Sequence, residues 1–214
     1  MALSYGDVRL PDGAMDHEGA RVVRRFKEAG RRVVERLERR RAEGMRRNPE
    51  RLVQRLRRAR HVLVLCQGNV IRSVFAAHLL SAGLAGTRRV SVRSAGLETV
   101  PGWRAHPYVR TRCEDLQIDL SGHSSVAVTE AMVKTADVVL VMEVSQLVVV
   151  RRRFHGARRK TFLLSCLAPD VSLEIRDPAG KGEEAIDACL DQIARAVKPV
   201  IDIIRDPDPT DARR

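Results

Sequence analysis

The chain has 214 residues, 44% of them hydrophobic, which is enough for a substantial core; with aromatics at only 3%, that core must be Val, Leu, Ile and Ala. Four cysteines without paired spacing do not suggest a disulfide framework or a zinc site, and no apolar run approaches the length of a membrane span. The net charge of +12 is unevenly placed: residues 16–60 hold 17 Lys+Arg against 7 Asp+Glu, a local net of +10, and the remainder holds 22 against 20, a net of +2.

Residues 1–15 contain Gly, Pro and Asp with few apolar residues and are expected to be disordered. Met1 to Ala20 has no apolar leader core, and together with the unpaired cysteines this predicts a reducing, cytoplasmic location. From Gly19 a helical pattern begins, with Val22, Val23, Phe26, Val33, Val34 and Leu37 three, four or seven apart. Gly30 weakens it, and Gly44 or Asn48-Pro49 should end it. Asn48 is read as the cap of a second helix, with Pro49 at its first position. That helix runs to about Arg58 and carries Leu52, Val53 and Leu56 on one face.

The arginine-rich extension of residues 16–60 is read first as an amphipathic hairpin. Its apolar stripe would pack on the following domain or on a second copy, with its charges solvated. An acidic protein or an anionic membrane surface is the alternative partner. Nucleic acid is disfavoured, because no aromatic residue is interleaved to stack bases and no zinc or helix-turn-helix signature is present.

From residue 61 strands and helices alternate. Strands are predicted at 61–65, 89–93, 137–142 and 160–164, and helices at 73–84, 105–116, 129–134, 143–154 and 182–204. Alternation with continuously apolar strands predicts an α/β domain over residues 61–204, three layers deep, with a four-stranded parallel sheet between helices. Residues 205–214 read as a flexible tail. Reactive residues in such a fold belong at the carboxyl ends of the strands.

One stretch stands there: Val62-Leu63-Val64-Leu65-Cys66-Gln67-Gly68-Asn69-Val70-Ile71-Arg72-Ser73. An apolar strand ends in a cysteine, a short loop follows, and a helix begins. This geometry points backbone N–H groups and a helix N-terminus at an anion and favours a nucleophilic thiolate at Cys66. Gly68 and Asn69 both tolerate positive φ. Arg72 offers a planar fork that suits two phosphate oxygens, and a cation in the first turn of a helix is unfavourable unless an anion accompanies it. The Cys-x5-Arg spacing alone is weak evidence, since 39 of 214 residues are basic. Indeed Cys189-Leu-Asp-Gln-Ile-Ala-Arg195 repeats it, without glycine and inside a helical pattern, and is read as structural.

Cys-Gln-Gly-Asn-Val-Ile-Arg-Ser resembles the phosphate-binding loop of the low-molecular-weight protein tyrosine phosphatases, Cys-x-Gly-Asn-x-x-Arg-Ser. The likeness continues through Ser94-Ala95-Gly96-Leu97, Ile118-Asp119-Leu120-Ser121-Gly122-His123, the stretch from Ala136 to Glu143, and Asp177-Pro178. It spans about residues 61 to 204, and the first sixty residues have no counterpart. The resemblance implies hydrolysis of phosphotyrosine in a phosphorylated protein through a phosphocysteine on Cys66. Gln67, Gly68, Asn69, Val70, Ile71, Arg72 and Ser73 would cradle the phosphate, and no metal or organic cofactor is implied. Asp177 would be the general acid and later the base; a bare Asp-Pro is usually a turn. Ser73 would hydrogen-bond the thiolate, and Asn69, Ser94 and His123 would hold the loop in shape.

The departures are as informative. Ile71 stands where the family often has a second cysteine able to trap the nucleophile as a disulfide, which leaves Cys66 without that protection against oxidation. Ala179 and Gly180 follow Asp177-Pro178, where many members carry aromatic walls. Trp103 could supply such a wall, or could equally be a hydrophobic plug under its own loop. Phosphoarginine hydrolysis is the nearest alternative, but members with that activity carry threonine where Val70 stands. Arsenate reduction would need two further cysteines, and none occurs from Val138 to Ser145. A catalytically idle binding module of the same fold is a third reading, opposed by the joint presence of Cys66, Arg72 and Asp177.

Overall fold

The computed structural model describes residues 17–87 and 90–206, with side chains from Glu28 onward. The expectations for residues 1–15, for Arg89 and for most of the tail lie outside the described residues. In chain order the elements are α1 (His17–Arg47), α2 (Glu50–Arg58), β1 (His61–Cys66), α3 (Arg72–Gly83), β2 (Ser91–Gly96), α4 (Pro107–Asp115), α5 (Glu130–Thr135), β3 (Val138–Val141), α6 (Val144–Arg153), β4 (Thr161–Leu163) and α7 (Glu183–Arg205). Single 3-10 turns at Ala157–Arg159 and Leu164–Leu167 flank β4. Among the described residues no helix is long and apolar enough to cross a membrane.

The four strands form one parallel sheet in the order β2-β1-β3-β4. β3 and β4 are buried throughout, and β1 is buried after His61. Strands without a solvent face must be covered on both sides, which is the three-layer α/β/α arrangement expected from the alternation. α3 packs on β1, β2 and α7, while α6 packs on β3 and β4. The sheet places the carboxyl ends of β1, β2 and β3, at Cys66, Gly96 and Val141, along one edge of the layer.

Two features correct the sequence reading. β2 runs from Ser91 to Gly96 rather than 89–93, because its extent is set by pairing residue for residue with His61 to Cys66 and not by where Val90 and Val92 fall. Asn48 is not a helix cap: its N–H closes α1 onto Gly44 O at 3.1 Å, and Pro49, with no side-chain cap bond, precedes α2. α1 continues through both Gly30 and Gly44, whose Cα positions face open space, and ends at Arg47, directly before Asn48-Pro49, the second of the two stops expected.

The chain divides into a unit up to Val34 and a larger one from Glu35 onward. The described part of the first is the amino half of α1, where Val33 is 58% exposed and Arg32 lies 4.0 Å from Glu28. The second contains the rest of α1, all of α2 and the sheet. Ala42, Leu52, Leu56 and Ala59 belong to its core, and α2 lies against α7. Leu56 is fully buried. Leu56→Ala is therefore expected to lower unfolding stability by about 2–5 kcal/mol, read as a shift of the urea midpoint, because truncating a fully buried side chain leaves a cavity in the core.

Candidate active site

β1 is a run of apolar residues that delivers Cys66, 3% exposed, to the carboxyl edge of the sheet. The backbone then turns sharply. Asn69 carries the turn at φ 55°, a left-handed conformation that asparagine tolerates, while Gly68 has no positive φ. Of the two residues read as permissive, the loop uses the asparagine. Its N–H donates to Cys66 Sγ at 3.3 Å.

The Asn69 side chain is wholly buried, and its orientation is fixed by its neighbours. Val126 N–H donates to Oδ1 at 3.0 Å, so Nδ2 is the group that donates to Ser73 Oγ at 3.1 Å and Ser94 Oγ at 2.9 Å. Ser73 Oγ thereby receives a hydrogen bond, and its own proton is free to point at Cys66 Sγ, 3.0 Å away. His123 Nε2–H donates to Asn69 O at 2.9 Å. Burial holds the His123 imidazole below its usual pKa, the Asn69 carbonyl opposes this, and His78, whose ring stands edge-on 6.2 Å away, lowers it further. The structure thus brings together Cys66, Asn69, Ser73, Ser94 and His123, drawn from separate stretches of chain.

The rest of the loop is fastened to the segment after β2. Leu97 N–H donates to Cys66 O (2.9 Å), Glu98 N–H to Gln67 O (3.0 Å), Thr99 Oγ1 to Gly68 O (2.7 Å) and His106 N–H to Val70 O (2.9 Å). Gln67 Nε2 reaches Glu98 at 2.7 Å. This approach needs glycine at 96: a Cβ there would stand 2.9 Å from Gln67 O and 2.8 Å from Thr99 Cβ. Ile71 is buried and Val70 half-buried. Between the two anchors at Thr99 and His106, Trp103 is 60% exposed, which removes the reading of it as a buried plug.

Arg72 opens α3 and is 2% exposed. Its Nη1 donates to Glu143 and to Ile175 O at 3.1 Å, and its Nη2 donates to Asp177. Two carboxylates therefore supply the negative charge that a cation at a helix N-terminus requires. Asp177 Oδ1 also accepts from Ala179 N–H at 3.1 Å, and the Asp177 side chain is 42% exposed, so the site meets solvent on that side. Sequence reasoning assigns Glu143 no role beyond its place in a motif. The signal that marks it is position: a carboxylate directly after a strand apolar throughout stands at the reactive edge of a parallel sheet.

The other cysteines are different. Burial pushes the Cys189 thiol up to about 12 and the Cys113 thiol up to about 11, and it raises Cys166 as well. Cys189 sits in α7 and its thiol faces Arg176 O at 3.7 Å, while Arg195 lies at the surface 3.7 Å from Asp170. The second Cys-x5-Arg is thus two unrelated side chains on one helix. A cavity of about 270 Å3 adjoins the acid, lined by Glu174, Arg176, Asp177, Lys181 and Cys189. A larger one of about 490 Å3 lies at the amino ends of β1 and β2, lined by His61, Leu63, Ser91, Arg93 and Met132, away from every candidate residue.

Residues 61–206 match the model of the low molecular weight phosphotyrosine protein phosphatase family. A probable low molecular weight protein-tyrosine-phosphatase, EpsP, from Ralstonia nicotianae is 35% identical over 144 residues, 67% of this chain and 95% of that protein. The protein-arginine-phosphatase of Bacillus subtilis is 28% identical over 149 residues, 64% of this chain and 96% of that protein. Among solved structures, the tyrosine phosphatase Wzb from Escherichia coli K30 in complex with sulphate superposes with a TM-score of 0.62 at 30% identity, covering 67% of this chain and 97% of Wzb. A sheet order, a cysteine loop and a sequence match that all agree over the same residues make this chain a member of the low molecular weight phosphotyrosine protein phosphatase family.

Proposed function

We propose that the protein hydrolyses aryl phosphate monoesters, with phosphotyrosine in a protein as the substrate, through a phosphocysteine intermediate. The observation that carries this reading is the sulfur of Cys66 under two hydrogen-bond donors, the Asn69 N–H and the Ser73 hydroxyl, in a loop that ends at the Arg72 fork beside Asp177. The Cys66 thiolate attacks phosphorus in line with the departing phenolic oxygen. Asp177 gives that oxygen its proton, so the alcohol leaves neutral. Arg72, freed in part from its carboxylates, holds two of the phosphoryl oxygens through the transition state. In the second half Asp177 takes a proton from the attacking water, the S–P bond breaks, and the Ser73 hydroxyl stabilises the sulfur that leaves.

Trp103, exposed between two anchors of the phosphate loop, supports an aromatic substrate, since an indole face can stack on a phenyl ring. The arginine-phosphatase relative supports phosphoarginine as the competing substrate, and Val70, apolar and half-buried, argues against it. A cytoplasmic location suits a nucleophile that must remain a thiol. The basic residues 16–60 suit an acidic protein or an anionic membrane surface as a second partner. The test is a pair of peptides differing only in the phosphorylated residue. Phosphate release from phosphotyrosine, and from p-nitrophenyl phosphate, is expected at least about tenfold faster than from phosphoarginine. The reverse order would reassign the substrate.

A further inference from the structure

The proton-donating loop is held from outside the family domain. Residues 168–182, between the turn after β4 and α7, contain no strand or helix of their own. The match to the family begins at residue 61, yet α1, which ends at Arg47, touches this loop directly. Arg46 spreads its guanidinium over two carbonyls, Nη1 on Val171 O and Nη2 on Ser165 O, both at 2.9 Å. Ser165 Oγ in turn donates to Leu173 O at 2.5 Å. Arg39 pairs with Glu174, whose other oxygen accepts from Val144 N–H at 2.8 Å, next to the Glu143 that meets Arg72. Glu38, 6% exposed, pairs with Arg151 of α6, and Ala42 is in the core, so this half of α1 is itself fixed. Three residues beyond Glu174 stands Asp177.

We propose that the carboxyl half of α1 is a positioning element for the general acid, and that Arg46, with Arg39 in support, fixes residues 171–177 so that the Asp177 carboxyl reaches the leaving oxygen. A fork on two carbonyls defines direction as well as distance, which a lysine could not do. Displacement of an acid by about 1 Å can cost on the order of 100-fold in rate, so a loop held at several points by hydrogen bonds keeps its acid in range. Arg46 does not touch substrate; it acts through the loop. The inference rests on Asp177 being the proton donor.

The measurement is kcat/KM, which reports the first chemical step, for two esters: p-nitrophenyl phosphate, whose leaving group departs without much help, and phenyl phosphate, which needs the proton. Arg46→Ala is expected to lose about tenfold on phenyl phosphate and less than about threefold on p-nitrophenyl phosphate, with inhibition by inorganic phosphate unchanged. Arg39→Ala, at an exposed position where truncation costs the fold little, should show the same selective loss to a smaller degree, and Arg46→Lys should recover part of it. Equal losses on both esters, no loss, or a loss matched by weaker phosphate inhibition would overturn the proposal. Asp177→Asn measured alongside separates the two failures. If it shows the selective loss and Arg46→Ala does not, the positioning role alone is wrong. If Asp177→Asn shows none, the acid assignment falls and takes the positioning role with it.

Discussion

Cys66→Ser is expected to lower kcat for p-nitrophenyl phosphate by on the order of 10^4-fold or more while inorganic phosphate still inhibits p-nitrophenol release within a few-fold of its present strength. The substitution keeps the shape of the loop, since Asn69 N–H and Ser73 Oγ can bond an oxygen as well as a sulfur. What it removes is the sulfur on which a phosphocysteine would form. An alcohol in that place would need a base, and the imidazole that meets the loop is already engaged: the Nε2–H of His123 is committed to Asn69 O. Residual phosphate binding would show that the cradle outlives the chemistry. Turnover that survives the substitution would mean that some other group attacks phosphorus, and the phosphocysteine would have to be abandoned.

Arg72→Lys is expected to cost about 100- to 1,000-fold in kcat and to weaken phosphate inhibition, even though the charge is kept. The guanidinium serves Glu143, Ile175 O and Asp177 through two separate nitrogens while 2% exposed. An ammonium has one nitrogen on a flexible stem and cannot bridge these groups and two phosphate oxygens at once. The same change should lower thermal stability, because it leaves the buried end of this side chain bridging fewer of the carboxylate and carbonyl groups around it. Steady-state kinetics beside a melting curve taken with and without phosphate would separate the two effects. Near-normal kcat in this variant would show that charge alone suffices.

Much of this was legible from the residues, for identifiable reasons. β1, β3 and β4 announce themselves because a strand covered on both faces must be apolar at nearly every position, as Val62 to Leu65 and Val138 to Val141 are. β2 does not, because Ser91, Arg93 and Ser94 are polar; the apolar Val90 and Val92 drew the expected strand two residues upstream of its true register with β1. The Cys66 to Ser73 loop was readable as a unit because its chemistry depends on neighbours in sequence. The Arg72–Glu143 contact, 71 residues apart, and the fastening of Gln67 and Gly68 by Glu98 and Thr99 were not, because they depend on strand order, which periodicity does not give. The extension reads as an amphipathic hairpin whose apolar stripe packs on the domain or on a second copy while its charges are solvated. Ala42, Leu52 and Leu56 do lie in the core, but Arg46 spends its charge on main-chain carbonyls of the domain, and nothing in an arginine-rich stretch marks which arginine will do so.

The polar character that hid β2 has a consequence for how molecules of this protein meet one another. β2 is the outermost strand on its side, and its unpaired main-chain groups could template another strand. Ser91 and Arg93 are exposed along it, and its far end is already occupied by Val126 and Val128, which bond Gly96 N–H and O at 2.8 and 2.9 Å. The opposite border, β4, is three residues long. A polar rim with one arginine at one side and a stub at the other give a second chain little length on which to extend the sheet, so fibrillar growth by edge-to-edge pairing is discouraged at both borders of the native layer.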